Sequence, residues 1–299
     1  MFPIGVDAWR VSDAAFARAY AVTGDRGRAL IKSCIAGLYQ AWRPGSAAST
    51  STTERFLDGQ VRIEGLTPRP WFALAIGPDV ASPSQLVAAI MPALVSRIPQ
   101  VLVFRPKART GWPPALLTAL ELCGVEQVFS PSMGNFKHCL KTLGEPGSPC
   151  CPGGGGGVAC LASRTLWERV REMVPDNCAA HWLAPPKSAA LYAGPGAEWD
   201  REALAFAQAG LRLVEYGSSS LSQGSAGRMP LGDMPPDACA SGLASPDGPG
   251  TDRRPWVAYA PAAMAPTDAS LILAPGREAL WDWPDMPREL FFARSLVYS

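Results

Sequence analysis

The residues of this chain with most chemical potential are its cysteines, two histidines, a run of five glycines and a cluster of basic residues. Eight cysteines accompany only His138 and His181. The cysteine spacings contain no paired Cys-x-x-Cys of a zinc module. Scattered through a chain long enough to bury a large core, they read as reduced thiols of a cytoplasmic protein. The adjacent Cys150 and Cys151 could be redox-active or hold a soft metal, although such a pair is more often incidental. Gly153 to Gly157 is not a dinucleotide fingerprint, because G-x-G-x-x-G needs a preceding strand and SPCCP is none. The run reads instead as a hinge or linker, with Cys160 just beyond it as a buried structural thiol. Arg105, Lys107 and Arg109, in RPKAR, form a basic loop directly after an apolar run.

The elements that must position these groups are clearest between residues 71 and 129. The apolar run 71–76 ends in Gly77-Pro78, and an amphipathic stretch follows over 84–95. A second β-rich run at 101–104, a helical stretch at 114–122 ended by Gly124, and a third run at 125–129 complete the segment. Short apolar runs alternating with helical patterns predict β-α-β-α-β and a parallel sheet. Ser82 or Ser84 can cap the first helix, and Pro83 suits its first turn. Ligands of such sheets lie beyond the carboxyl ends of the strands.

Upstream, residues 11–42 carry helical periodicity behind the caps Ser12 and Asp13. Residues 43–55 read as a polar loop, and 60–66 alternate like a short strand of a ribbon. Downstream, 135–143 predicts a helix, and the Pro/Gly/Cys-rich 145–157 predicts the domain junction. A second α/β set follows: helix 163–173, strand 189–192, helix 198–209 and strand 211–216. Residues 217–255, rich in Ser, Gly, Pro, Asp and Ala, predict a long surface excursion or a mobile segment. Two short β-like runs, 257–261 and 270–274, precede an aromatic tail, 281–299, expected to dock on the body.

Several stretches resemble a known superfamily. MPAL at 91–94, VLVFRPKART at 101–110, CGVEQV at 123–128 and FSPS at 129–132 look like the nucleotide-binding domain of aldehyde dehydrogenase-like proteins. Within that superfamily the chain is similar to histidinol dehydrogenase. The opening VSDAAFARAYAVTGDRGRALIKSCIAGLYQAW, the segment PGGGGGVACLASRTLWERV, the stretch LAPPKSAALYAGPGAEWDREALAFAQAG and the terminal FFARSLVYS carry this likeness. The resemblance implies two Rossmann-like α/β/α domains with N-terminal helices. The expected divisions are 1–70 for helices and ribbon, 71–148 for the nucleotide-binding-like domain, 149–280 for the second α/β domain, and 281–299 for the docking tail.

The resemblance also assigns chemistry. Histidinol dehydrogenases use zinc held by histidines and a Glu-His pair for proton transfer, and zinc needs converging N, S or O donors. Neither histidine here falls on those motifs. Where the family has Gln-Ala-Glu-His-Gly, this chain reads Gln208-Ala209-Gly210, and Lys187 stands where the family has an acid. The expectation is therefore a homologue without zinc, its activity altered or lost. For a cofactor, Arg105 takes the place of the family's ribose-binding Lys, and Ala108 replaces the nearby Glu. With Lys107 and Arg109 alongside, the loop would favour NADP over NAD. Ser130, Ser132 and Gly134 would face the pyrophosphate. GGGGGVACLASRT also resembles the aldehyde dehydrogenase nucleophile segment. Cys160 would then attack an aldehyde, its thiol pKa lowered by backbone N–H groups near a helix start. The alternatives to an NAD(P)-dependent oxidoreductase are thus a Cys160-dependent aldehyde or acyl oxidoreductase and a noncatalytic binding or scaffold protein.

Composition narrows the partners. Charged residues are 18% and the net charge is +1, so no basic face argues for nucleic acid. No run of about 18 apolar residues suits a membrane span, and the N-terminus lacks the pattern of a signal peptide. A small-molecule ligand and a homodimer are expected.

Overall fold

The structure, a computed structural model, describes residues 6–42, 50–58, 60–106, 111–145, 147, 155–193, 198–217, 257–262, 265–266 and 269–298. A long helix, α1 (Asp13–Trp42), opens the fold and is interrupted at Gly24, whose φ of 67° suits a residue without Cβ. Its buried stripe, Ala19, Gly27, Ile31, Cys34 and Leu38, recurs at helical spacing.

Five strands build the main sheet: β3 (Trp71–Ile76), β4 (Gln100–Phe104), β5 (Gln127–Phe129), β6 (Gly157–Leu161) and β7 (Ala179–Leu183). All neighbours pair in parallel, in the order β5-β4-β3-β6-β7. Every residue of β3 is buried because both faces of the sheet are covered. Phe72, Leu74 and Ile76 pack with α1, α2 (Pro83–Val95) and α3 (Pro114–Leu122). Trp71, Ala73 and Ala75 meet α4 (Met133–Gly144) and α5 (Arg164–Arg171) on the opposite side. Period two along one strand thus divides two cores.

Helix α2 is buried on nearly every side, which suits its apolar composition. The Ser82 hydroxyl caps it by accepting from the Gln85 N–H at 3.1 Å. Trp283 from the C-terminal segment donates its indole N–H to the Gln85 carbonyl at 3.1 Å.

A second parallel sheet contains β8 (Ser188–Ala193), β9 (Arg212–Gly217), β10 (Val257–Tyr259) and β11 (Leu271–Leu273), in the order β11-β10-β8-β9. Helix α6 (Arg201–Ala207) connects β8 to β9 and packs its Phe206 ring against Gly27 of α1. The expected excursion at 217–255 lies, beyond Gly217, outside the described residues.

An antiparallel ribbon of β1 (Thr50–Arg55), β2 (Val61–Pro68) and β12 (Phe292–Tyr298) completes the fold. The C-terminal segment meets the body through Phe291, while β12 itself is largely exposed. Phe291 is buried against Phe72 and Trp42, and β12 pairs with β2. Two sequence readings need correction, and one strand has no counterpart in the sequence reading. TSTTER, taken for part of a loop, is β1; it has no apolar alternation and is held by backbone pairing. AAHWL forms β7, too short and too mixed in polarity to stand out. The main sheet also takes in β6 and β7, so the break between the sheets follows Leu183 rather than the glycine run.

That run has a packing role where it is described. A Cβ on Gly156 would lie 2.6 Å from Cε3 of Trp71, and nearer still to its ring-fusion carbons. One on Gly157 would lie 2.9 Å from the Leu290 carbonyl carbon, and nearer to its oxygen. Gly155 passes as closely by the Asn177 carbonyl. The run enters the sheet through gaps that admit no side chain, so this end of it is not a free hinge.

Candidate functional site

From β3 the chain steps outward to β4 and β5, then returns to β6 on the other side of β3. The order reverses between β3 and β6, and such a switch point opens a crevice beyond the strand ends. A cavity of about 490 Å³ lies there, within the size range of small-molecule sites. Its walls come from the loop after β3 (Asp79, Val80, Ala81), the first turn of α2 (Gln85), and the turn from β6 into α5 (Ala162, Ser163, Arg164). Trp182 of β7, the connection Ala184-Pro185-Pro186-Lys187 into β8, and Ala209-Gly210-Leu211 after α6 close it. The second sheet therefore contributes the far wall.

Hydrogen bonds fix this shape. Gly77 donates its N–H to the Leu161 carbonyl at 2.8 Å, tying the ends of β3 and β6 together. The Trp182 indole N–H donates to the Ala162 carbonyl at 2.8 Å, and Arg164 lies over the Trp182 ring at 5.9 Å. Ser82 donates its hydroxyl to the Ala207 carbonyl at 2.7 Å. Gln208, the residue shared with the Gln-Ala-Glu-His-Gly pattern, is buried. Its amide donates to the Leu280 carbonyl at 3.2 Å and its oxygen accepts from Ser82 at 3.3 Å. Gln208 thus joins α2 to the C-terminal segment.

The residues expected to hold a cofactor are employed elsewhere. Arg105 is 2% exposed; its guanidinium donates to the carbonyls of Pro78 (2.9 Å) and Gly111 (3.0 Å) and stacks on Trp112. Desolvation lowers its pKa, with Asp79 opposing. Ser130 accepts the Trp112 indole N–H at 2.8 Å, Ser132 caps α4 by accepting from Asn135, and Gly134 lies in the first turn of that helix. Both terminal nitrogens of the guanidinium are therefore engaged by main-chain carbonyls, while its buried Nε has no hydrogen-bond partner among the described residues. Lys107 and Arg109 lie outside the described residues, as do Cys150 and Cys151.

Cys160 is fully buried in β6, flanked by Ala75 of β3 and Trp182 of β7, with its side chain in the core over α4 and α5. Desolvation, reinforced by Asp79, pushes its thiol up to about 12. The expectation of a lowered pKa at a helix start is corrected: the strand buries the sulfur before the helix begins at Arg164, and the thiolate is disfavoured.

The five described cysteines are all free thiols. His138 is exposed on α4, whereas His181 is half-buried in β7, where burial lowers its pKa despite Asp285. Among the described residues no three His, Cys, Asp or Glu side chains converge as metal ligands would. Nor is any helix among them long and apolar enough to cross a membrane.

Sequence reasoning placed a ligand beyond the strand ends but chose the end of β4. It missed Asp79, Gln85, Ser163 and Trp182. The available signal was Gly77-Pro78 closing the first strand just ahead of a capped helix.

Two parallel α/β sheets, helices in front and an antiparallel ribbon with the crevice between them define the aldehyde dehydrogenase-like fold. The crystal structure of histidinol dehydrogenase from Elizabethkingia anophelis is similar, with TM-score 0.56 and 10% identity over 97% of this chain and 76% of that one. An indole-3-acetaldehyde dehydrogenase aligns at TM-score 0.44 and 11% identity over 98% of this chain and 86% of the other. An NAD-dependent benzaldehyde dehydrogenase from Corynebacterium glutamicum gives 0.38 and 11% over 66% of this chain and 47% of its own length. The chain therefore spans less than half of that enzyme. No family model matches the sequence, and no curated protein matches it either.

Proposed function

We propose that this chain is a histidinol-dehydrogenase-like protein without the zinc site and the Glu-His pair, and that its cleft binds a small organic molecule. The observation that carries this reading is the cavity at the switch point of the main sheet, built from segments of both sheets. It occupies the position where open parallel sheets hold their ligands. Two further facts support the loss of the family chemistry: Gln208 is bonded within the structure, and Lys187 lines the cleft where the resemblance expects an acid. The dinucleotide reading now rests on Lys107 and Arg109.

The test has two arms. Zinc analysis of the purified protein, with an assay of NAD-dependent histidinol oxidation, is expected to give neither stoichiometric metal nor turnover. One tightly bound zinc per chain with oxidation of histidinol would overturn the loss of chemistry. Thermal unfolding against NAD, NADP, aldehydes, amines and small organic acids is expected to raise the midpoint with at least one compound, since a ligand of the folded state stabilises it. No shift with any of them rejects the ligand-binding cleft.

A further inference from the structure

We propose that the cleft holds its ligand through an anionic group, a carboxylate or a phosphate, taken up by Lys187, Ser163 and Gln85. The inference rests on the ligand-cleft reading above and names the chemistry of what enters.

Gln85 is the first observation. It lines the cavity and is 4% exposed. Its backbone is used twice, the N–H by Ser82 and the carbonyl by Trp283. Its side-chain amide makes no hydrogen bond with any described residue. The residue is otherwise enclosed, so its free amide can meet only what fills the cavity, and a ligand atom there can take up its N–H.

The second observation is charge. Asp79, Arg164 and Lys187 all line the cavity. The Asp79 carboxylate is attracted by the buried Arg105 guanidinium behind it, and Arg164 shares Glu168 at 3.3 Å. Lys187 is exposed, and its side-chain ammonium has neither ion pair nor hydrogen bond among the described residues; only its main-chain carbonyl is used, by the Arg212 N–H at 3.0 Å. The charge left uncompensated in the cleft is therefore positive. Ser163 stands at the start of α5 with its hydroxyl unused as a cap, so both the hydroxyl and the positive end of the helix are open to an anion. Trp182, held at its indole nitrogen by Ala162, offers a flat wall for the organic part of the ligand.

Isothermal titration of the full chain with inorganic phosphate and with succinate, at ionic strength held constant by sodium chloride, tests the proposal. At least one of the two is expected to saturate a site per chain. Tighter phosphate points to a phosphoryl group and tighter succinate to a carboxylate, and either supports the inference. Lys187→Ala should weaken binding roughly tenfold, the scale of a charge-assisted hydrogen bond. Lys187→Glu should abolish it, while Lys141→Ala, the same charge change on exposed α4, should leave it unaltered. Two results overturn the proposal: neither anion saturates, or Lys187→Glu binds as wild type does. If instead a neutral or cationic compound raises the unfolding midpoint and Ala184→Trp in the cleft wall removes that rise, the cleft reading survives and the anion is rejected. With no ligand of any charge, both fail.

Discussion

Replacing Gly157 by Ala adds one methyl group where the backbone of β6 passes Leu290. The new Cβ would sit 2.9 Å from the Leu290 carbonyl carbon, against an ordinary carbon–carbon contact of about 3.5–4.0 Å. Its neighbour is backbone, so no side chain can swing aside. Leu290 is held in its turn, its N–H donating to the Pro287 carbonyl at 3.2 Å. Gly157 is equally constrained, because it pairs with Phe72 of β3 and Ala179 of β7. Overpacking of this kind costs about 3 kcal/mol, the upper end for an inserted methyl group. Alanine's smaller unfolded-state entropy offsets about 0.4–1 kcal/mol of that. The net loss is about 2 kcal/mol, or roughly 3 °C in midpoint for a chain of this size. Thermal and urea unfolding followed by tryptophan fluorescence measure it. Gly134→Ala is the matched control: within α4 a Cβ there meets only the Ser132 hydroxyl oxygen, at 4.0 Å. That variant should gain about 0.5–1 kcal/mol. A Gly157→Ala protein as stable as wild type would refute the close-approach argument and return the glycine run to the role of a linker.

Arg105→Met keeps much of the side-chain volume but leaves the Pro78 and Gly111 carbonyls without their donor. It should cost about 2–4 kcal/mol in urea unfolding at constant slope, and an unchanged midpoint would mean the guanidinium serves some other purpose. Native protein at pH 8 should leave Cys160 unlabelled by iodoacetamide until it unfolds, because the sulfur is fully buried; rapid labelling would contradict its placement in β6. Burial pushes the Cys34 and Cys160 thiols up from 9.0 to about 12. Folded-state pKa values above the unfolded ones give stability that is whole below pH 9 and falls as pH rises toward 12. Urea midpoints at pH 8 and pH 10.5 measure this: the second should be lower, and Cys160→Ala should reduce the difference between them.

What the sequence determined by itself was the set of elements whose burial is local knowledge. The runs at 71–76, 101–104 and 189–192 are continuous and apolar because each is covered on both faces, and Ser82-Pro83 announces the start of α2. The docking of an aromatic tail was legible only as far as Phe291: so much apolar surface must be covered, but β12 beyond it is largely exposed. TSTTER and AAHWL were hidden, because pairing partners far away in sequence make them strands. Tertiary structure alone decided that β6 returns beside β3, and that single choice moves the crevice from the end of β4 to Gly77, Ala162 and Lys187. It also decided that Arg105 and Cys160, conspicuous in the sequence, are walled in. A sequence shows a residue's chemistry, but accessibility and partners depend on which distant segments pack over it. Asp79, Gln85, Ser163 and Trp182 are unremarkable where they stand in the chain. They come to line one cleft only when two sheets bring their ends together.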